Sequence, residues 1–278
     1  PVELAIYREA GESPVALPCG DTGGASFASL RRAAAAPVAA LAAARALRAL
    51  RPDAVLGMGG YVCAPVLLAA RALGVPVYLH ESNAIPGRIT RFFAPGAREV
   101  FLGFAAAAGK LSRRARPRVT GTPVRAALAT QTRESAAAAL GLDPRRFTIL
   151  ALGGSQGARA LNEAILKTLP ALDLEAEAAR DIQFLWSAGA ANYESVNTRL
   201  SGIALPSIYL EMWPSITRMD AAYACSDLVI SRAGASTLAE LTALGLPAIL
   251  VPLPTARDDH QRANARALAD AGAALVVE

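Results

Sequence analysis

The chain has 278 residues, of which 53% are hydrophobic and 18% charged, and its formal net charge is +5. This composition excludes disordered and fibrous proteins, and the length allows two globular domains with large cores. Three widely spaced cysteines and two histidines fit neither a disulfide scaffold nor a zinc site, and no apolar run reaches the roughly 20 residues of a membrane-spanning helix.

Strands and helices are predicted to alternate along the chain. Short runs rich in β-branched residues predict buried strands, and the longer stretches between them predict helices. The predicted strands are 54–56, 75–79, 118–120, 148–152, 228–230 and 248–251, and the predicted helices are 27–50, 62–73, 157–169, 236–244 and 260–271. Such alternation is typical of parallel sheets covered by helices, so we expect the α/β fold class, with ligands at the carboxyl ends of the strands.

The two halves of the chain repeat one pattern. Residues 53–76 and 227–247 each contain a strand, a glycine turn, a helix and a Gly-x-Pro segment, and a second strand follows. The polar stretch 130–146 lies between the copies. We therefore expect two Rossmann-like, doubly wound domains, one over residues 1–140 and the other over residues 141–278, facing each other across a cleft.

The charge is divided unevenly between the halves. Residues 1–146 carry 19 Lys and Arg against 9 Asp and Glu, whereas residues 147–278 carry 9 against 14. A basic first half suggests an anionic partner such as a lipid surface or a nucleic acid, and the alternative is a solvated basic face. Because few aromatic residues accompany the basic ones, no nucleic acid partner is expected.

The segment 152–159 is the motif most typical of a ligand site. Gly153 and Gly154 follow a strong predicted strand and precede a helix, and Ser155 adds a hydroxyl. Backbone N–H groups at such a helix start favour a phosphate, although a Gly-Gly turn also occurs as a simple tight connection. The segment is neither a Walker A motif nor a dinucleotide fingerprint.

Two further polar segments open predicted helices. Thr237 and Glu240 have the spacing of a capping box, which spacing alone favours, and the alternative is that Glu240 accepts both hydroxyls of a ribose. Gln261 and Asn264 share a helix face and can hold sugar hydroxyls. Consecutive side chains at a helix start point in different directions, so the His and Asp residues of 258–260 are not expected to bind a metal ion.

Polar segments also follow strands in the first half. Gly57–Tyr61 is rich in glycine, and His80 beside Glu81 is either a catalytic pair or a satisfied polar corner. Arg125 ends a strand close to the predicted boundary, where it can reach into the cleft. No nucleophile elbow, H-E-x-x-H helix or kinase motif is present. The sequence therefore indicates a two-domain cleft with phosphate loops and sugar-holding amides.

Taken in order, these segments resemble the MurG family of glycosyltransferases. The segments that carry the resemblance are Gly57–Pro65, His80–Gly87, Gly121–Arg125, Gly153–Asn162, Ala233–Glu240 and His260–Ala265. The resemblance implies the glycosyltransferase-B fold and an inverting, metal-independent and cofactor-free transfer of N-acetylglucosamine from UDP-N-acetylglucosamine to the muramoyl 4-hydroxyl of lipid I. The product is lipid II, for peptidoglycan synthesis, and the implied location is the inner face of the cytoplasmic membrane, as a peripheral protein.

The resemblance also implies roles for individual residues. Glu240 would hold the ribose hydroxyls and Ser155 the diphosphate, while the backbone of Ile216 would pair with uracil. Gln261 and Asn264 would hold the sugar hydroxyls. The implied donor-binding residues are Asn83, Arg125, Ser155, Ile216, Ala235, Ser236, Thr237, Leu238, Ala239, Glu240, Gln261 and Asn264, and the implied acceptor-side residues are Gly59, Gly60, Tyr61, His80 and Glu81.

The sequence departs from the family at the general base. The family carries its base in an N-terminal Gly-Gly-Thr-Gly-Gly-His loop, which is absent here, and no histidine follows Gly23 and Gly24. We therefore expect the family's first strand, loop and helix and its last helices to be missing, and donor recognition without full catalytic competence. His80 is the candidate substitute base.

The sequence is also compatible with two other functions and with two interpretations of one predicted helix. The same fold serves glycolipid synthases that glycosylate diacylglycerol, and the missing loop is also compatible with a UDP-sugar-binding protein that transfers nothing. Residues 29–51 combine apolar and basic side chains, so they form either an amphipathic membrane-surface helix or a core helix.

Overall fold

The computed structural model describes residues 7, 11–18, 27–153, 158–174 and 181–278, which form two units. The first unit comprises Pro1–Glu81, Pro86–Leu102 and Ala107–Thr120, and the second comprises Ser82–Ile85, Gly103–Ala106 and Gly121–Glu278. The division after residue 120 precedes the one expected after residue 140, because Leu128, Ala137 and Leu140 are buried in the core of the second unit.

The first unit is a four-stranded parallel sheet with helices. Its strands are β1 (Val55–Gly57), β2 (Val77–Glu81), β3 (Val100–Leu102) and β4 (Pro117–Val119), in the order β1-β2-β3-β4, and its helices are α1 (Phe27–Leu50), α2 (Ala64–Ala72) and α3 (Arg88–Phe93). The register pairs Val55 with Val77, Leu79 with Val100, and Val100 with Pro117. Leu67, Leu79, Phe93 and Leu102 are among the buried side chains of its core.

Helix α1 packs on this core through one face. Ala39, Ala43 and Leu47 recur every four residues and are buried. Val38 and Leu41, which face away from that stripe, are exposed. The core-helix interpretation is therefore confirmed over the part of α1 whose side chains are described, residues 37–50. Within the described ranges, no helix combines the length and apolar character needed to cross a bilayer.

The second unit is a six-stranded parallel sheet in the order β10-β9-β8-β5-β6-β7. Its strands are β5 (Phe147–Leu152), β6 (Ile182–Ser187), β7 (Tyr209–Trp213), β8 (Leu228–Ser231), β9 (Ala248–Leu250) and β10 (Ala274–Val276). Its helices are α4 (Arg133–Leu140), α5 (Arg159–Leu174), α6 (Tyr193–Leu200), α7 (Met219–Cys225), α8 (Ala235–Leu244) and α9 (His260–Asp270).

Helices cover both faces of this second sheet. Along β5, Leu150 and Leu152 belong to one buried cluster, whereas Ile149 and Ala151 belong to another. Successive residues of a strand point to opposite faces, so β5 is buried on both sides, as a central strand of a doubly wound sheet should be. The predicted doubly wound architecture is confirmed for this unit.

The predicted repeat is confirmed by matching backbone hydrogen bonds in the two copies. In the first copy, Val75 N–H donates to Ala70 O and Val55 N–H to Pro76 O; in the second, Leu246 N–H donates to Leu241 O and Val229 N–H to Pro247 O. A left-handed glycine follows the helix of each copy, Gly74 with φ +73° and Gly245 with φ +67°. A side chain at either position would be strained, because L-residues rarely adopt this conformation.

The polar stretch 130–146, where the domain boundary was expected, contains helix α4. Thr132 caps its start by accepting the Ser135 N–H, and left-handed Gly141 ends it. Arg133 makes a two-pronged pair with Asp227, at 3.0 and 2.7 Å, and also donates to the carbonyls of Pro144 and Arg146. This clamp anchors α4 to the start of β8.

Candidate functional site

The switch point of the second sheet lies between β5 and β8. From β5 the chain proceeds to β6 and β7 on one side, and then returns to place β8, β9 and β10 on the other. In open parallel sheets the loops that follow the two diverging strands separate and leave a crevice for ligands. Here those loops follow Leu152 and Ser231, which are paired across the two strands. Ser155, in the first of them, lies outside the described residues.

Helix α8 begins directly after the second loop, and its start differs from the predicted capping box. Its N-cap is Gly234, so Thr237 lies within the first turn and cannot be the cap. Glu240 does not reach back to the helix start but accepts a hydrogen bond from the hydroxyl of Tyr223, at 2.7 Å. The capping-box interpretation is therefore wrong, because the helix begins three residues earlier than a cap at Thr237 requires.

Glu240 is the centre of a small polar cluster. The hydroxyl of Tyr223, on α7, is bonded to Oε2, and Nη2 of Arg125 lies 4.0 Å from Oε1. The side chain of Glu240 is 20% exposed and that of Arg125 is 69% exposed, whereas Tyr223 is buried. Burial, followed by the hydrogen bond to Glu240, raises the pKa of Tyr223 well above its usual range. The cluster can therefore offer an anchored carboxylate oxygen and a neighbouring cation to a polar ligand.

The first turn of α8 supplies backbone donors beside this cluster. Ala235, Ser236 and Thr237 precede the first intrahelical bond, which Leu238 N–H makes to Gly234 O at 3.0 Å. N–H groups at a helix start favour anions, and the helix dipole adds to the effect. Leu238 is buried in the core, so its side chain serves packing, and Ala239 continues the helix.

Asn264 connects helix α9 to residues 83–84 and to Ala233, just before the start of α8. It is fully buried on α9; its Oδ1 accepts the Ala84 N–H at 2.8 Å, and its Nδ2 donates to Asn83 Oδ1 at 3.1 Å and to Ala233 O at 3.2 Å. The structure thus brings the predicted residues Asn83 and Asn264 into direct contact. In this arrangement both Nδ2 protons of Asn264 are used inside the protein.

Gln261 lies one turn before Asn264 on α9. Its Oε1 accepts the Leu253 N–H at 3.0 Å, which leaves the amide nitrogen as the group that it can offer a hydroxyl. Asp258 and Asp259 precede the helix with φ +53° and +54°. Two successive non-glycine residues in this region store about 1 kcal/mol or more each and are typical of ligand-binding loops.

Arg232 fixes the loop in which α8 begins. Its Nη1 donates to the carbonyls of Val251 and Pro252, each at 3.0 Å, which ties the ends of β8 and β9 together. Burial lowers the pKa of this guanidinium. Ile216, in the loop that leads into α7, is buried in the same core as Tyr223, so only its backbone is suited to contact a ligand.

The predicted acceptor-side residues lie in the first unit. Gly59 and Gly60 adopt φ +86° and +76° after β1, a conformation that needs glycine. The Cys63 thiol donates to the Gly59 carbonyl at 2.7 Å and closes this turn, and Tyr61 beside it is 38% exposed. This closed turn presents an aromatic side chain at the carboxyl end of β1.

His80 and Glu81 end strand β2 and are both buried. Glu81 Oε2 accepts the Gly87 N–H and the Thr90 hydroxyl, each at 2.8 Å, and so ties the start of α3 to the end of β2. For Glu81 the satisfied-corner alternative is confirmed. His80 is only 3% exposed, and this burial argues against its use as a substitute base.

Sequence reasoning missed two structural supports of the site. Tyr223 lies in an alanine-rich stretch without a motif, and its partner Glu240 is 17 positions away. Gly103 follows β3, where a Cβ would lie 2.6 Å from Thr122 Oγ1 and 2.9 Å from Ser82 O. A glycine after a strand signals such a close approach, but the sequence does not identify the neighbours.

Within the described ranges, no group of three or more His, Cys, Asp and Glu side chains is arranged to hold a metal ion.

Two family models match the chain. The glycosyltransferase family 28 C-terminal domain matches residues 148–278, and the glycosyltransferase family 28 N-terminal domain matches residues 7–102. Together with the parallel sheets of the two units, these matches confirm the predicted glycosyltransferase-type α/β fold class.

Curated relatives share most of the chain. A protein from Moorella thermoacetica is 45% identical over 230 residues, which are 82% of this chain and 61% of the relative. One from Chlorobium luteolum is 44% identical over 230 residues, which are 82% of this chain and 60% of the relative. Both are named UDP-N-acetylglucosamine–N-acetylmuramyl-(pentapeptide) pyrophosphoryl-undecaprenol N-acetylglucosamine transferase. The chain thus spans about 61% of the length of such relatives.

Solved structures agree with the sequence matches. The crystal structure of Acinetobacter baumannii MurG aligns with a TM-score of 0.72 and 32% identity, over 99% of this chain and 74% of that one. A UDP-GlcNAc 2-epimerase from Neisseria meningitidis, bound to UDP-GlcNAc, aligns with a TM-score of 0.64 and 16% identity over 98% of this chain and 75% of that one, which indicates a shared fold.

Proposed function

Since the chain belongs to the MurG family of glycosyltransferases, we propose that it binds UDP-N-acetylglucosamine and serves the inverting, metal-independent transfer of N-acetylglucosamine to the muramoyl 4-hydroxyl of lipid I. The product is lipid II, a precursor of peptidoglycan. The observation that carries this proposal is the anchored Glu240 carboxylate beside the start of α8, at the switch point of the second sheet. The names of the relatives supply the chemistry of donor and acceptor.

The second unit offers a group for each part of the donor. The Glu240 carboxylate accepts the ribose hydroxyls, and Ile216 offers backbone groups to the base. The first-turn N–H groups of α8 are suited to the diphosphate, and the family resemblance assigns Ser155 to it as well. Gln261 donates to a sugar hydroxyl through its amide nitrogen, and Asn83 and Asn264 form the wall beside it.

These groups act on the bond that breaks. The acceptor hydroxyl attacks the anomeric carbon, the bond from that carbon to the diphosphate oxygen breaks, and the acceptor proton passes to a base. Negative charge grows on the departing UDP, and helix-start N–H groups with the exposed Arg125 guanidinium are suited to stabilise it. A donor held at several points also keeps the anomeric carbon aligned for in-line attack.

A titration calorimetry experiment tests donor recognition directly. The chain is expected to bind UDP and UDP-N-acetylglucosamine, and Glu240→Ala is expected to lose at least about tenfold in affinity. Its melting temperature should fall by only a few degrees, since the buried Tyr223 hydroxyl loses its acceptor. The matched control is Glu211→Ala, which removes a carboxylate that accepts from Tyr209. A large fall in melting temperature with an affinity close to that of the wild type would assign Glu240 to structure instead.

The acceptor is tested by competition. Lipid I and diacylglycerol are offered together with labelled UDP-N-acetylglucosamine, and labelled lipid II is the expected product. Labelled diacylglycerol alone would assign the chain to glycolipid synthesis. Donor binding without either product, in the full-length protein from the same gene, would support a UDP-sugar-binding protein.

A basic cavity supports a location on an anionic membrane surface. The cavity has a volume of about 440 Å³ at the amino ends of the strands of the first sheet, and Arg71, Arg98, Arg114 and Arg116 line it. Phe92, three residues before the lining residue Pro95, is 69% exposed. Guanidinium groups suit lipid phosphates, and an exposed aromatic side chain adds an apolar anchor.

Vesicle co-sedimentation tests this location. Binding to vesicles with anionic phospholipid is expected, with weaker binding at high salt and little to neutral vesicles. Arg116→Glu is expected to reduce binding several-fold. Arg118→Glu makes the same charge change two residues away, outside the cavity, and serves as the control. Equal losses in the two variants would show that only net charge matters.

A further inference from the structure

Tyr223 and Glu240 form an asymmetric pair. The hydroxyl of Tyr223 donates to Glu240 Oε2 at 2.7 Å from within the core, where the tyrosine is 3% exposed. The other oxygen, Oε1, faces the exposed side chain of Arg125. One end of the carboxylate is thus tied to the fold, and the other is directed to the surface of the second unit.

The tyrosine hydroxyl acts here only as a donor. Because burial and the neighbouring carboxylate stabilise its neutral form, it keeps its proton in the physiological range. A bond from a neutral hydroxyl to a carboxylate is short and strong, and it limits the rotation of a side chain that otherwise has three free torsions. The pair therefore fixes where the Glu240 carboxylate points.

The anchoring bond leaves the carboxylate able to bind a ligand. An ionised carboxylate has about four lone-pair positions, so one bond from Tyr223 leaves positions on both oxygens. Tyr223 is buried in the same apolar core as Ala221, Ala222 and Leu238, so its ring serves packing. Packing and anchoring are thus separable, because phenylalanine would keep the ring and lose only the hydroxyl.

We propose that Tyr223 is a positioning residue that orients Glu240 to accept both hydroxyls of a ribose, so that the site distinguishes a ribonucleoside diphosphate from its 2′-deoxy analogue. This inference rests on the proposed function, which supplies the ribose. A site that is prepared in advance for two hydroxyls loses a bond when one is missing, and the prepared carboxylate is then left partly unpaired. Without Tyr223 the carboxylate is free to turn towards water, and the preference for ribose falls.

The test compares uridine diphosphate with 2′-deoxyuridine diphosphate by titration calorimetry. The wild type is expected to prefer uridine diphosphate by about 10- to 100-fold. Tyr223→Phe is expected to weaken uridine diphosphate binding about tenfold and the deoxy analogue by less than about threefold, so that the preference falls towards unity. Tyr223→Leu, which also lacks the hydroxyl, is the second variant should the first fold poorly.

The matched control is Tyr209→Phe. Tyr209 also donates to a glutamate, Glu211, but does so from an exposed position on β7, so its loss should leave the preference unchanged. Melting temperatures of all variants are measured alongside.

Each outcome bears on the inference. A preference that persists in folded Tyr223→Phe overturns it, and so do equal losses for both nucleotides, since a purely structural role would weaken both. A wild type that binds neither nucleotide overturns the proposed function and the inference with it. A wild type that binds uridine diphosphate while Tyr223→Phe retains the preference overturns the inference alone.

Discussion

Replacing Asn264 by alanine should destabilise the second unit strongly, although the residue bears no charge. The substitution removes three hydrogen bonds, to Ala84 N–H, Asn83 Oδ1 and Ala233 O. All three act at a fully buried side chain, and Ala84 and Ala233 are themselves buried. Water therefore cannot easily take the place of the lost amide.

The expected size follows from these bonds. Each net hydrogen bond contributes about 1 kcal/mol, and taking the acceptor away from the buried Ala84 N–H adds about 1 kcal/mol or more, so the loss is roughly 4 kcal/mol. For a protein of this size that corresponds to a fall of roughly 10 °C in the melting temperature. Thermal unfolding followed by circular dichroism measures it.

Two companion variants sharpen the experiment. Asn197→Ala makes the same change at an exposed site on α6 and should alter the melting temperature by no more than about 1 °C. Asn264→Asp keeps an oxygen for the Ala84 N–H but turns a second oxygen towards Asn83 and Ala233, so it should cost at least as much as alanine. If the melting temperature of Asn264→Ala equals that of the wild type, the bonds described for Asn264 do not stabilise the unit.

Three further outcomes follow from single contacts. Gly103→Ala should lower the free energy of unfolding, measured in urea, by about 1–3 kcal/mol, because its Cβ would approach Thr122 Oγ1 to 2.6 Å. Gly109→Ala, with open space around it, should leave that free energy unchanged, and equal losses in the two variants would contradict the contact. The raised pKa of Tyr223 means that the folded protein keeps a proton that the unfolded chain releases, so the stability from this group is complete below about pH 10 and is lost as the pH rises further. Tyrosinate absorbance should therefore rise equally in the wild type and Tyr223→Phe up to about pH 11, and a smaller rise in the variant would show that Tyr223 ionises normally. Arg133→Lys should lower the free energy of unfolding in urea by about 2 kcal/mol, since an ammonium group cannot replace the two-pronged pair with Asp227. Arg145→Lys, at an exposed ion pair, should lower it little, and a similar loss in both variants would count against the clamp.

Periodicity was sufficient for the central part of the fold. Strands β5 and β8 are mostly apolar, and the helices between glycine turns are long, so their positions could be predicted closely. Strands β6 and β7 were not predicted, since β6 contains the buried Gln183, whose polarity hides the pattern, and β7 is an edge strand with the partly exposed Glu211. Gln183 is tolerated because its amide bonds to Asp143 and Thr148, which no local pattern reveals.

The candidate site was predictable in its composition but not in its connections. Glu240 and Asn264 could be named from spacing and resemblance. Their partners, Tyr223 and Ala84, could not, because bonds that span 17 and 180 positions exist only after the sheet has formed. The helix start at Gly234 likewise depends on where β8 ends, so the capping box predicted from local spacing was wrong.

The make-up of the second unit has a practical consequence for dissecting the protein. Two short stretches, residues 82–85 and 103–106, belong to that unit although they precede its main body in the chain. A truncated gene that starts at residue 121 would therefore encode Asn264 without Asn83 and Ala84, and Thr122 without Gly103. Expressing the carboxyl-terminal half alone would yield a unit with a buried amide facing missing partners, so intact chains are the suitable material for every nucleotide titration.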